Sequence, residues 1–296
     1  MNINAFKGLG VAMITPFDEE YNVDIETLRT QTSFLIENGV DYLVTMGTTA
    51  ETPSLKDEEQ DNILACIASE NDGRVPIVIG IGGNNTYKTI EQIESRDLSG
   101  VDAILSVVPY YNKPTQAGMY RHFAEIAKIS KLPIILYNIP GRTGVNMTAE
   151  TTLRLAHDFD NIIGIKEASG DFVQIANIIS GRPDDFLVIS GDDALTLPLM
   201  SVGGDGVISV LGNAFPAQLS QMIHHARAGE LTEAQAIFYR FFDLFGLLFA
   251  DGNPSGIKSL MELLGMTTGR VRLPLVRAQK STVDDMKVVL KQLDVM

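Results

Sequence analysis

A single cysteine, Cys66, stands in this 296-residue chain, and that scarcity rules out an intrachain disulfide. It falls in a predicted helix among apolar neighbours (63–68), where a thiol reads as a small buried hydrophobe rather than a reactive group. Basic residues are also few: Lys and Arg number 23 against 37 Asp and Glu, for a formal charge of −14. Nucleic acid and anionic membrane surfaces are therefore disfavoured as partners, because both are held by basic clusters that neutralise phosphate. A small anionic substrate is not excluded, since one arginine can hold one carboxylate. No uninterrupted run of about 18 apolar residues exists to cross a bilayer. Residues 1–6 have neither the basic segment nor the apolar stretch of a secretory signal, so a cytoplasmic location is expected. The four histidines, His122, His157, His224 and His225, fall in helical segments without metal-ligand spacing such as His-Glu-x-x-His. They read as surface residues, and no metal is expected.

What the chain does have is 45% hydrophobic residues, arranged in short runs. The segments 11–17, 42–47, 77–81, 103–109, 134–139, 162–166, 186–190 and 206–210 are β-branched and nearly continuous, the pattern of strands covered on both faces. Helical periodicity lies between them. Met119, Phe123, Ile126 and Ala127 share one face of such a segment, while Arg121, Glu125 and Lys128 face away. Thr148 followed by Glu150 reads as an N-cap with an acidic first turn. Eight strand–helix units without a domain break predict an α/β fold, a (β/α)₈ TIM barrel over 1–228. A doubly wound open sheet is the competing arrangement. Beyond residue 228 the strand signals stop, and helices at 232–249, 255–264 and 283–293 predict a C-terminal helical extension over 229–296.

Reacting groups of a TIM barrel come from the C-terminal ends of its strands. Lys166 closes the run Ile162-Ile163-Gly164-Ile165-Lys166, where a lysine is costly unless its charge is paired or its pKa falls. A desolvated lysine is partly neutral, and only the neutral amine attacks a carbonyl. The alternative is a strand-end lysine that reaches solvent or pairs with Glu167. Tyr137 lies on the preceding strand, beside Lys166 in a barrel, and a phenol there can move protons during imine chemistry; the alternative is ordinary core packing. Arg142 follows in a Pro- and Gly-bearing loop, where its guanidinium can grip a carboxylate through two parallel hydrogen bonds, or else simply face solvent.

These segments together resemble the dihydrodipicolinate synthase (4-hydroxy-tetrahydrodipicolinate synthase) family, within the N-acetylneuraminate lyase superfamily. The resemblance runs from Gly10-Val11-Ala12-Met13-Ile14-Thr15-Pro16-Phe17 to Arg272-Leu273-Pro274. Gly47-Thr48-Thr49 alone is weak. Arg142-Thr143-Gly144, about 20 residues before Ile165-Lys166-Glu167-Ala168, is specific and favours the synthases over the sugar-acid lyases. The resemblance implies that pyruvate forms a Schiff base with Lys166 and that its enamine attacks L-aspartate 4-semialdehyde, in diaminopimelate and lysine biosynthesis. It implies Tyr137 as acid/base, Thr48 and Tyr111 as a proton relay, and Arg142 as the holder of the semialdehyde carboxylate. Thr49 and the backbone near Ile208 would seat pyruvate. Tyr111 would come from a neighbouring subunit, which implies a homo-oligomer, a dimer or a dimer of dimers. No metal or organic cofactor is implied, because the lysine amine is the electron sink.

The chain also departs from the family pattern. Ala50 stands where many relatives carry Gly; a left-handed backbone there would cost about 1 kcal/mol. At the positions resembling the lysine-feedback site, Asn84 and Tyr110 are kept. Asp57, Gln60 and Lys88 replace His, His and Glu, so feedback inhibition by lysine is not expected. Gly80-Ile81-Gly82-Gly83-Asn84-Asn85 fails the dinucleotide fingerprint at its last position and reads as a tight turn. Ser190-Gly191-Asp192-Asp193 reads as a helix entry. The competing functions are a pyruvate-dependent lyase of a keto-sugar acid and a non-catalytic barrel that binds a small acid.

Overall fold

The computed structural model describes residues 2–296. Eight parallel strands close into a barrel in chain order: β1 Gly8–Ala12, β2 Tyr42–Thr45, β3 Ile77–Gly80, β4 Ala103–Val107, β5 Ile134–Asn138, β6 Ile162–Glu167, β7 Leu187–Ser190 and β8 Gly206–Ser209. The helices between them are α1 Ile25–Glu37, α2 Asp57–Asn71, α3 Thr86–Ser95, α4 Gln116–Ile129, α5 Pro140–Thr143, α6 Ala149–Asp158, α7 Phe172–Gly181 and α8 Thr196–Ser201. After β8 come α9 Pro216–Ala228, α10 Leu231–Ala250, α11 Ser255–Leu263 and α12 Lys280–Gln292. The TIM barrel with C-terminal helices is therefore as the sequence predicts. Among the described residues, no helix is long and apolar enough to cross a membrane.

The chain divides into two compact units. One comprises Met1–Lys7 with Pro76–Ile208, and the other Gly8–Val75 with Ser209–Met296. In the first, β3 to β8 are buried on both faces, which is why their sequences run apolar without alternating. β5 and β6 pair Leu136 with Ile165 and Tyr137 with Lys166, and β7 sets Ile189 against Lys166 on the other side. Gly82 follows β3 closely packed on β4: a Cβ there would lie 2.8 Å from the Val107 nitrogen. The tight-turn reading of 80–85 agrees, with Asn85 capping α3 through Tyr87 and Lys88 N–H. Thr148 caps α6 by accepting from Thr151 N–H, as expected.

One histidine corrects the sequence reading. His122 is buried on the inner face of α4, edge-on to Phe123 with ring centroids 5.0 Å apart. Its Nδ1 lies 2.9 Å from Thr86 Oγ1, and burial pushes its pKa down to about 4. The helical period places it beside Phe123 among the core positions, a context that outweighs the usual surface preference of histidine.

In the second unit, the first strand also differs from expectation: it occupies Gly8–Ala12, 13–16 is loop, and Phe17 forms only an isolated antiparallel bridge with Val23. Glycines weaken the strand signal, yet Gly10 is needed here because a Cβ would sit 2.2 Å from the Tyr42 ring on β2. β1 and β2 pair Val11 with Leu43. α10 buries Ala234, Phe238, Phe241, Leu244, Phe245 and Leu248, a helical stripe, and Phe241 meets Phe215 at 5.0 Å between ring centroids. Cys66 is buried within α2, and desolvation raises its thiol pKa, in keeping with an inert packing role.

Candidate active site

Successive residues of a strand point to opposite faces, so Lys166 and Glu167 cannot pair side by side. Glu167 turns into a buried polar net. Its carboxylate accepts from Ser169 N–H at 2.7 Å and from the amides of Asn138 and Gln174 at 3.2 Å. Lys166, only 6% exposed, stands on the other face with its Nζ 4.4 Å from the centroid of the Tyr137 ring. The register of β5 and β6 creates that contact. Among the described residues, its amine has no hydrogen bond and no ion pair.

Burial pushes the Lys166 amine down to about 8; Asp193 opposes that fall and Arg142 adds to it. About a tenth of the amine is then neutral at pH 7. Arg142 itself lies in the one-turn helix α5 rather than in an open loop. Its side chain is exposed, and the turn closes on Gly144 at φ 74°. The Arg142 charge bears on the Lys166 amine, which in turn lies against the Tyr137 ring. Tyr111, in the loop after β4, is 86% exposed and left-handed at φ 71°. Ile208 is buried on β8.

Sequence reasoning missed one carboxylate of this unit. Asp192 does cap the turn after β7, accepting from Ala194 N–H at 2.9 Å. Asp193, however, is buried and acts on Lys166. The available signal was that one acidic cap suffices, which leaves the second aspartate to explain. Gly191 is equally tied to the lysine: a Cβ there would lie 3.1 Å from Lys166 Cε and 2.7 Å from Ala168 Cβ.

In the second unit, Thr48 and Thr49 begin a 3₁₀ turn after β2, with Thr48 half-buried and Thr49 buried. Thr49 Oγ1 accepts from Asn253 Nδ2 at 2.9 Å, which leaves its own hydroxyl proton available to donate. Ala50 is not left-handed; Met46 (φ 53°) and Glu51 (φ 55°) are. The cost anticipated for lacking glycine at 50 therefore does not arise.

A second lysine of this unit, Lys258, is also pushed down to about 8 by burial. It is fully enclosed, paired with Glu51 at 2.5 Å and donating to the Arg270 carbonyl at 2.9 Å. An amine without access cannot meet a carbonyl substrate. Of these two lowered lysines, only Lys166 is unpaired.

Residues 5–293 match the Dihydrodipicolinate synthetase family. The chain belongs to that family. It is 52% identical to the 4-hydroxy-tetrahydrodipicolinate synthase of Parabacteroides distasonis over 289 residues, covering 98% of this chain and 97% of the relative. A relative of the same name from Phocaeicola vulgatus is 50% identical over 289 residues, again 98% and 97% of the two chains. The crystal structure of dihydrodipicolinate synthase from Thermotoga maritima superposes with a TM-score of 0.96 at 37% identity, covering 99% of this chain and 100% of that one. This dihydrodipicolinate synthetase family member is thus an enzyme of lyase type, and the resemblance noted from its motifs is borne out.

Proposed function

We propose that this protein is a 4-hydroxy-tetrahydrodipicolinate synthase that condenses pyruvate with L-aspartate 4-semialdehyde through a Schiff base on Lys166. The observation that carries the reading is the unpaired, buried Lys166 amine held over the Tyr137 ring, with its pKa lowered to about 8. The neutral amine adds to the keto carbon of pyruvate, and loss of water from the carbinolamine leaves an imine. The methyl group then gives up a proton to form an enamine, whose carbon attacks the aldehyde. The aldehyde oxygen takes a proton, and the amino group of the second substrate closes the ring by displacing Lys166.

Tyr137 lies where those protons must move and serves as acid and base. By resemblance, Thr48 and Tyr111 pass protons on, Thr49 and the backbone near Ile208 seat the pyruvate carboxylate, and Arg142 holds the carboxylate of the semialdehyde. The exposure of Tyr111 supports a homo-oligomer in which this tyrosine completes a neighbour's site. The lysine serves as electron sink, so the proposed reaction asks for no metal or organic cofactor. The reading places the enzyme in the cytoplasm, with its catalytic barrel over 1–228 and a helical appendage over 229–296.

A coupled assay with pyruvate and aspartate semialdehyde tests the reading. Turnover of that pair, without cleavage of keto-sugar acids, is the expected result. Cleavage of a sugar acid without condensation would assign the chain to the sugar-acid lyases instead.

A further inference from the structure

The turn that carries Thr48 and Thr49 is bracketed by two left-handed residues that are not glycine, Met46 at φ 53° and Glu51 at φ 55°. Such conformations are strained for L side chains and persist only where the surroundings impose them. At Glu51 those surroundings come from far along the chain. Its carboxylate accepts from Lys258 Nζ of α11 at 2.5 Å and from the Arg272 N–H at 2.8 Å, and the residue is almost fully buried. Lys258 in turn donates to the Arg270 carbonyl at 2.9 Å and lies 4.0 Å from the centroid of the Phe17 ring. The Arg272 guanidinium covers the same ring and clasps Glu59 at 2.6 and 2.8 Å.

Two further ties run to the same turn. Asn253, just ahead of α11, donates to Thr49 Oγ1 at 2.9 Å, and Thr15 Oγ1 donates to the Ala50 carbonyl at 2.7 Å. Fully enclosing a lysine and a glutamate is a poor route to stability, because an apolar pair of similar volume usually serves as well or better. Its distinctive effect here is geometric. The pair locks the left-handed Glu51, and with it the orientation of the turn that presents both threonine hydroxyls.

We propose that Lys258 and Glu51 are a positioning pair through which the C-terminal helical extension holds Thr48 and Thr49 in their working places. Neither residue touches substrate. The pair acts through the threonines, so the proposal rests on the reading of Thr48 and Thr49 given above. Its functional signature falls on pyruvate, which Thr49 seats, and on turnover, which the Thr48 relay serves; use of the aldehyde carboxylate, assigned to Arg142, is spared.

The test is the double variant Glu51→Gln/Lys258→Met, which strands no buried charge, compared with both single variants and with Thr49→Val. Thermal unfolding, KM for each substrate and kcat are measured on the full-length protein. In the double variant the unfolding midpoint is expected to return toward that of the parent. Its KM for pyruvate should stay raised roughly tenfold or more, because misplaced binding groups cost rate and affinity even in a stable fold. Recovery of pyruvate KM and kcat together with stability would overturn the proposal and leave the pair a structural element. A single variant that fails to fold does not remove the test, since the neutral double variant carries it. If Thr49→Val raises pyruvate KM while the double variant does not, the positioning role fails and the site reading stands. An unchanged pyruvate KM in Thr49→Val overturns the site reading itself, and the positioning role with it.

Discussion

The Lys166 amine lies 4.4 Å from the centroid of the Tyr137 ring, because adjacent parallel strands place the two residues at the same level. A phenyl ring face favours a cation, yet burial favours the neutral amine, and burial prevails: the amine falls to about 8. The same contact puts an aromatic hydroxyl-bearing side chain against the one protein group that forms and breaks a bond to substrate carbon in the proposed reaction.

Borohydride added with pyruvate is expected to trap a covalent adduct on Lys166. The rate of trapping should climb about tenfold per pH unit below 8, as the neutral fraction grows, and flatten above it. Peptide mass analysis locates the adduct. Label on Lys258, whose amine is lowered to the same region but enclosed and paired, would contradict the assignment.

Arg142→Ala should weaken use of the aldehyde far more than capture of pyruvate. A charge-assisted contact to a carboxylate contributes about 1.5–3 kcal/mol, or roughly ten- to a hundredfold in binding. Loss of the guanidinium also removes a charge that pushes the Lys166 amine down, so the pH profile of trapping should move upward. Equal losses for both substrates would mean that Arg142 serves the local architecture.

The strands were legible because doubly covered parallel strands read as continuous apolar runs, and Lys166 was legible as the polar residue that closes one. That Tyr137 lies on the neighbouring strand followed from chain order, since consecutive strands of a barrel are neighbours; the register that sets it level with Lys166 did not. Asp193 was passed over, because Asp192 beside it already explained an acidic helix entry. The Glu51–Lys258 pair joins residues 207 positions apart, and no local pattern announces such a partner. His122 was misread by its residue type, although the helical period already set it beside Phe123 on the face that α4 turns inward. Long-range pairing and side-chain environment are the layers that a single sequence leaves open.

Acid should destabilise the fold in a window set partly by Glu59. Arg272 holds that carboxyl down to about 2, from an ordinary value of 4.5. A lowered carboxyl pKa contributes stability that is fully present above the unfolded value and is lost as pH falls from there through the folded value. The contribution is at most about 3 kcal/mol, smaller after solvent screening of a partly exposed pair. Denaturant unfolding between pH 5 and 2 should therefore show a shallower stability loss in Glu59→Gln than in the parent. An identical slope would show that the pair contributes nothing in that range.

Tyr111→Phe should lower turnover while folding and assembly persist, because only an exposed hydroxyl is lost. If this tyrosine acts across an interface, the impaired Tyr111→Phe and the inactive Lys166→Ala should complement in part when their subunits are mixed, with activity above that of either alone. Exchange is verified by mass labelling. No recovered activity despite exchange would place the whole site within one chain.

Millimolar L-lysine is expected to inhibit this enzyme weakly or not at all. Free lysine carries two ammonium groups that need acceptors, and the residues at the resembling positions supply few. Lys88 is exposed in the first turn of α3, a cation where inhibited relatives carry a carboxylate. Gln60 already donates its amide to the Leu55 carbonyl at 3.2 Å, and Asp57, the first residue of α2, faces solvent. Asn84 and Tyr110 remain, but the Asn84 carbonyl accepts from the Asn112 amide at 3.0 Å. Two like charges about 4 Å apart repel by roughly 4 kcal/mol at an effective dielectric near 20, against about 1 kcal/mol returned by an ordinary hydrogen bond. Lys88→Glu removes the repulsion and adds an acceptor, so it should increase whatever sensitivity to lysine exists. A dose–response at saturating pyruvate decides the matter: half-inhibition of the parent well below about 1 mM, a binding free energy stronger than roughly −4 kcal/mol, would mean that acceptors other than these residues hold the ligand.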